Sequence, residues 1–104
     1  MEQKTKTISL PRLNNLSPTL EGTALKLMEE AGELGAAISR YKDAEGPERE
    51  LLRRVVCREL LDVAQTAITM MFVLEEEHGI DVQEVLSEHI AKLIRKGYIK
   101  IKGS

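Results

Sequence analysis

The chain has 104 residues, 42% of them apolar and 31% charged, enough for one small domain and too few for two independent cores. Its net charge of −2 excludes a general electrostatic attraction to nucleic acid or to an acidic membrane surface. The one cysteine, Cys57, excludes an intrachain disulfide, and its expected place is that of a small buried apolar residue.

Phe72, Tyr41 and Tyr98 are the only aromatic residues, and there is no Trp. A core of Leu, Ile, Val, Ala and Met suits packed helices better than a small β-sandwich. The first six residues, Met1-Glu2-Gln3-Lys4-Thr5-Lys6, are not followed by an apolar run, so no secretory signal is expected. The most apolar stretch, 60–74, contains Asp62 and Gln65, and a membrane span needs about 20 residues with few or no charges. The expectation is a soluble cytoplasmic protein with neither a membrane nor a nucleic acid as partner.

In chain order, residues 1–16 are polar and irregular, with Pro11 and Asn14-Asn15 as breakers. Ser17-Pro18 reads as an N-cap followed by proline at the first helical position. Leu20, Ala24, Leu27, Ala31, Leu34, Ile38 and Tyr41 then recur at steps of 4, 3, 4, 3, 4 and 3, which predicts a helix over 18–42. The stretch 43–47 is a linker, and Pro47 can open the next helix. That helix is expected over 47–78, with Gly79 as its stop. Its first half is charged and amphipathic, while 60–74 is apolar nearly all round. Such a helix must be covered on more than one side, and a chain this short has too few other helices to do it. A second subunit is the simplest cover.

Asp81 and Glu84 have the spacing of a capping box and open a third helix over 82–96. Val82, Val85, Leu86, His89, Ile90 and Leu93 make its inward stripe, and Gly97 ends it. Tyr98-Ile99-Lys100-Ile101-Lys102 alternates apolar with basic, as a short strand would. Ile8-Ser9-Leu10 is its candidate partner in a terminal β-ribbon, although a two-stranded ribbon alone is marginal. The expected fold is therefore all-α: three main helices per chain in a bundle completed by oligomerisation, with a possible short terminal ribbon. The segment 1–16 precedes a single helical domain over 17–104.

The chemistry lies in two acidic motifs. Glu29, Glu30 and Glu33 form Glu-Glu-x-x-Glu on the first helix, and Glu59 and Asp62 form Glu-x-x-Asp on the second. Residues three apart on a helix share a face about 5–6 Å apart, so Glu30 with Glu33 and Glu59 with Asp62 each make a two-carboxylate jaw. An antiparallel pair of helices can bring the jaws together. Converging carboxylates repel unless a cation neutralises them, and hard oxygen ligands select Mg²⁺, Mn²⁺ or Ca²⁺. Mg²⁺ commonly shares its coordination with substrate phosphates. Asp62 lies in the most apolar part of the chain, where a lone charge is expensive and a metal ligand is compensated. Glu75-Glu76-Glu77 reads instead as a solvated face. Glu75 and His78 make a single Glu-x-x-His, where di-iron bundles need two. His78 and His89 are expected to be structural or surface groups.

Lys26-Leu27-Met28-Glu29-Glu30-Ala31-Gly32-Glu33-Leu34, and then Glu59-Leu60-Leu61-Asp62 within an apolar helix, resemble the MazG-like branch of the all-α nucleoside triphosphate pyrophosphohydrolases. The resemblance runs over about 17–98, with the basic end Lys92-Leu93-Ile94-Arg95-Lys96-Gly97-Tyr98 included. It implies cleavage between the α- and β-phosphates with Mg²⁺, or Mn²⁺ in its place, to give a monophosphate and pyrophosphate. It also implies a homodimer or homotetramer. Carried over, Glu30, Glu33, Glu59 and Asp62 would be the metal ligands, and Glu29 would position or deprotonate the attacking water. Lys26, Lys92, Arg95 and Lys96 become candidate phosphate ligands. An ion pair between Lys26 and Glu30, and complementation of the helix dipole by the three C-terminal cations, are the competing readings. Phosphoribosyl-ATP pyrophosphohydrolase, with similar acidic helices, and a non-catalytic nucleotide- or protein-binding module are the alternatives.

Overall fold

Thr19, not Ser17, caps the first helix. In the computed structural model, which describes residues 4–100, α1 runs Leu20–Asp43, and the Thr19 hydroxyl accepts the Gly22 N–H at 3.0 Å. Pro18 thus precedes the helix, and the cap falls on the residue whose oxygen reaches a free amide of the first turn. Gly22 makes room for that cap: a Cβ there would stand 2.8 Å from the Thr19 oxygen.

A linker of two residues, Ala44 and Glu45, leads to α2, Gly46–His78. Gly46 turns the chain with a left-handed φ of 62° and Pro47 follows it into the first turn. Arg49 reaches back across the bend. Its guanidinium stacks on the Tyr41 ring at 4.3 Å and donates to the Ala44 carbonyl at 3.3 Å and the Tyr41 hydroxyl at 3.2 Å. A cation thus serves the carbonyl end of α1, where orphan acceptors and the negative pole of the helix lie.

The two long helices pack antiparallel along one thin seam of Ala37, Leu52 and Val73, with Ala44 at the bend and Thr23, Glu30 and Thr69 also buried. Residues 4–19 form an arm without helix or strand, with a turn at Asn14-Asn15 as expected. The arm is fastened to α2: Arg12 grips Glu76 with two bonds of 2.7 Å, and Gln65 Nε2 donates to the Pro11 carbonyl at 3.0 Å. Glu76 is therefore an anchor rather than part of a merely solvated face.

Gly79, at φ 67°, stops α2, and the Ile80 N–H closes back on the Leu74 carbonyl at 3.1 Å. Asp81 caps α3, Val82–Arg95, by accepting the Glu84 N–H at 3.2 Å. The inward stripe expected for this helix is present but has little to face. α3 packs on α2 alone, none of its residues is buried, and Val85, Leu86 and Ile90 lie exposed along it. The molecule is consequently flat and open, 45 × 44 × 21 Å with a radius of gyration of 17.2 Å, against about 13 Å for a compact chain of this length. Cys57, expected inside, is exposed, because it lies on a part of α2 that α1 does not cover.

Among the described residues there is no strand. Tyr98–Lys100 and Ile8–Leu10 do not pair, and Ile101 and Lys102 lie outside the described residues. The Tyr98 N–H instead closes on the Leu93 carbonyl at 3.0 Å, so residues 96–98 belong to that helix's C-terminal turn.

Candidate functional site

The two-residue linker fixes which carboxylates meet. Glu30 lies fourteen residues before Ala44 and Glu59 fourteen after Glu45, so the two stand level across the hairpin, with Glu33 one turn nearer the bend. Carboxylate oxygens of Glu30, Glu33 and Glu59 all lie within 4.8 Å of one another. Two jaws on facing helices thus converge through three of their four expected members.

Their surroundings differ. Glu30 is 6% exposed, Glu59 half-buried and Glu33 exposed. The Oε2 atoms of both Glu30 and Glu59 are buried and accept no hydrogen bond from the protein. An orphaned charged oxygen of this kind is costly to bury. The repulsion also reaches Glu33, whose carboxyl is held above its ordinary range, first by the charge of Glu30, then by burial and by Glu59. Among the described residues the cation that answers this charge is Lys26, whose Nζ lies 3.1 Å from Glu30 Oε1 and 3.5 Å from Glu29 Oε1.

Glu29 is exposed and stands outside the group of three, beside Lys26. Asp62 also stands outside it. It sits one turn beyond Glu59, exposed, and its backbone carbonyl accepts from Thr66 Oγ1 at 3.0 Å. Its expected apolar enclosure is absent because α2 has no cover on that side within one chain. The argument from a buried charge applies to Glu30 instead. Lys92, Arg95 and Lys96 are exposed at the end of α3, which has no contact with α1, and none pairs with these carboxylates. His89 lines a groove between α2 and α3, and His78 is exposed at the end of α2.

Leu25 and Met28, which the helical stripe passed over, are exposed at 68% and 71% on either side of Lys26 and Leu27. Apolar residues off the stripe of a charged helix were the available signal for a second outward apolar patch next to the acidic face.

The donor set fits a hard divalent cation. It offers oxygen only, at mutual distances compatible with one ion, and two of its oxygens have no other partner. No helix among the described residues is long and apolar enough to cross a membrane. A family model described as the MazG nucleotide pyrophosphohydrolase domain matches residues 18–97. No curated protein and no solved structure matches. With three acidic side chains of both motifs assembled across an all-α hairpin, and the family model spanning all three helices, the chain belongs to the MazG nucleotide pyrophosphohydrolase family.

Proposed function

We propose that the protein hydrolyses nucleoside triphosphates between the α- and β-phosphates, using Mg²⁺ or Mn²⁺. The observation that carries this reading is the buried, unpartnered Glu30 oxygen at the centre of three converging carboxylates. Glu30, Glu33 and Glu59 would hold the cation, and Asp62, one turn beyond Glu59 on the same helix face, would be the fourth ligand. The cation, when bound, supplies positive charge that polarises the phosphate and offsets charge on the departing group. Glu29 orients a water and takes its proton as the water oxygen bonds to phosphorus. The bridging P–O bond breaks, and a nucleoside monophosphate and pyrophosphate leave. Lys26 reaches a phosphate from the same helix.

The working form is at least a dimer, and a tetramer would use both outward apolar patches. Ile68, Met71 and Phe72 of α2, with Val82, Val85 and Leu86 of α3, line an open apolar groove that a second copy covers. Lys92, Arg95 and Lys96 act on phosphate in such an assembly, where α3 of one subunit approaches the acidic face of another. The cytoplasm, where nucleoside triphosphates are abundant, is the proposed location.

Incubation with a panel of common and damaged nucleoside triphosphates and phosphoribosyl-ATP, with Mg²⁺, tests the reading. Pyrophosphate and the matching monophosphate should appear together, and only with metal. Release of single orthophosphate, or turnover in chelator, would refute it. Turnover of phosphoribosyl-ATP alone would move the substrate to that class.

A further inference from the structure

The Lys26–Glu30 pair is poorly explained as a helix-stabilising contact. Pairs at i, i+4 favour the order with glutamate first and lysine second, and here lysine comes first. The two ends of the pair also sit in unlike places. The Glu30 side chain is 8% exposed, whereas Lys26 is 55% exposed and reaches in from solvent on a flexible stem of four carbons. Its ammonium satisfies one Glu30 oxygen and approaches Glu29, while the other Glu30 oxygen stays bare. A single ammonium on a flexible stem thus offsets one charge of a site where three carboxylates converge.

We infer that Lys26 is an exchangeable counter-ion: it neutralises Glu30 while the site lacks metal, gives Glu30 up to a divalent cation, and turns its ammonium to substrate phosphate. This rests on the metal reading above. A lysine ammonium ordinarily titrates at about 10.4, so it carries its charge at neutral pH with or without Glu30 as partner. Vacating Glu30 leaves Lys26 beside Glu29, with ammonium donors free for an incoming polyphosphate. The exchange keeps the carboxylate cluster from standing wholly uncompensated before metal arrives. It also makes phosphate affinity depend on metal occupancy through one side chain.

Calorimetric titration of Mn²⁺ into the metal-free full chain, without nucleotide, separates the possibilities. Lys26→Met removes the competing charge and keeps the stem, so it should bind Mn²⁺ about tenfold more tightly than the wild type. It should bind the Mn²⁺ complex of inorganic tripolyphosphate about tenfold more weakly. Lys26→Arg should stay near the wild type in the first titration, and Lys26→Gln should repeat the methionine result if packing of the stem is irrelevant. Glu30→Gln reports on the metal reading itself and should weaken Mn²⁺ binding. If the wild type takes up no Mn²⁺, both readings fall. If Glu30→Gln weakens uptake but Lys26→Met does not strengthen it, the metal reading stands and the counter-ion role is overturned. Tripolyphosphate binding that is absent in the wild type, or equal in Lys26→Met, overturns the transfer to phosphate.

Discussion

Glu30 is a nearly buried carboxylate with one oxygen unpartnered, an arrangement that is costly without a compensating cation. Replacing it by glutamine removes the charge and adds an amide that can donate to the bare Glu59 oxygen. Relief of one unsatisfied buried group is worth about 1–3 kcal/mol, so metal-free Glu30→Gln should melt several degrees higher than the wild type. It should also lose turnover and the stabilisation that Mn²⁺ gives to the wild type. A lower melting point in metal-free solution would contradict the repulsive cluster. Asp62→Asn makes the complementary case. Asp62 is exposed, so the substitution should change stability by less than about 0.5 kcal/mol while abolishing hydrolysis. Near-normal turnover of Asp62→Asn would reduce the α2 contribution to Glu59 alone.

At the scale of elements, each helix end is a separate local decision. Thr19→Ala should cost about 1 kcal/mol, and Ser17→Ala should be silent in the same thermal melt, because only the Thr19 hydroxyl meets a first-turn amide. The reverse result would restore the cap to Ser17. The arm over 4–19 depends on a different contact, the Arg12–Glu76 pair. The hydrogen bond from Arg12, with a smaller contribution from its charge, holds the Glu76 carboxyl below its ordinary range. A carboxylate with a depressed folded pKa contributes stability that is present above the unfolded value and lost as pH falls through the folded one. The arm should therefore stay fastened at neutral pH and loosen in acid below the ordinary glutamate range. The Arg12 Nε–H resonance should move to its free-arginine position over that interval, and Glu76→Gln should place it there at every pH. A resonance unchanged from neutral to acid would show that the pair does not hold the arm.

For the whole molecule, surface area makes the argument. One chain exposes 8486 Å², whereas a compact protein of 11.7 kDa exposes about 5,900 Å². The excess, roughly 2,600 Å² per chain or about 5,200 Å² over two chains, is at the upper end of what obligate interfaces bury, and much of its apolar part lies along α3 and the outer side of α2. Light scattering at micromolar concentration should return at least twice the chain mass. Leu86→Glu, in the α2–α3 groove, should return a single chain or a poorly folded one. A monomer for the wild type would refute the proposed assembly.

Periodicity, caps and stop residues act within about four positions along the chain, so the sequence by itself determined three helices in order, with Gly79, Asp81 and Gly97 at their ends. It also determined that Glu30 with Glu33, and Glu59 with Asp62, share helix faces, since that follows from helical geometry alone. Burial was decided only by the tertiary structure, because it depends on what crosses from another element. The two-residue linker set the register that makes Glu30, rather than Glu33, level with Glu59 and puts it inside the seam. The thin cover beyond α1 left Asp62, Cys57 and much of the apolar stripe of α3 facing solvent. The arm's grip on α2 lies between residues 64 apart, a separation at which no local pattern in the sequence can mark the partner.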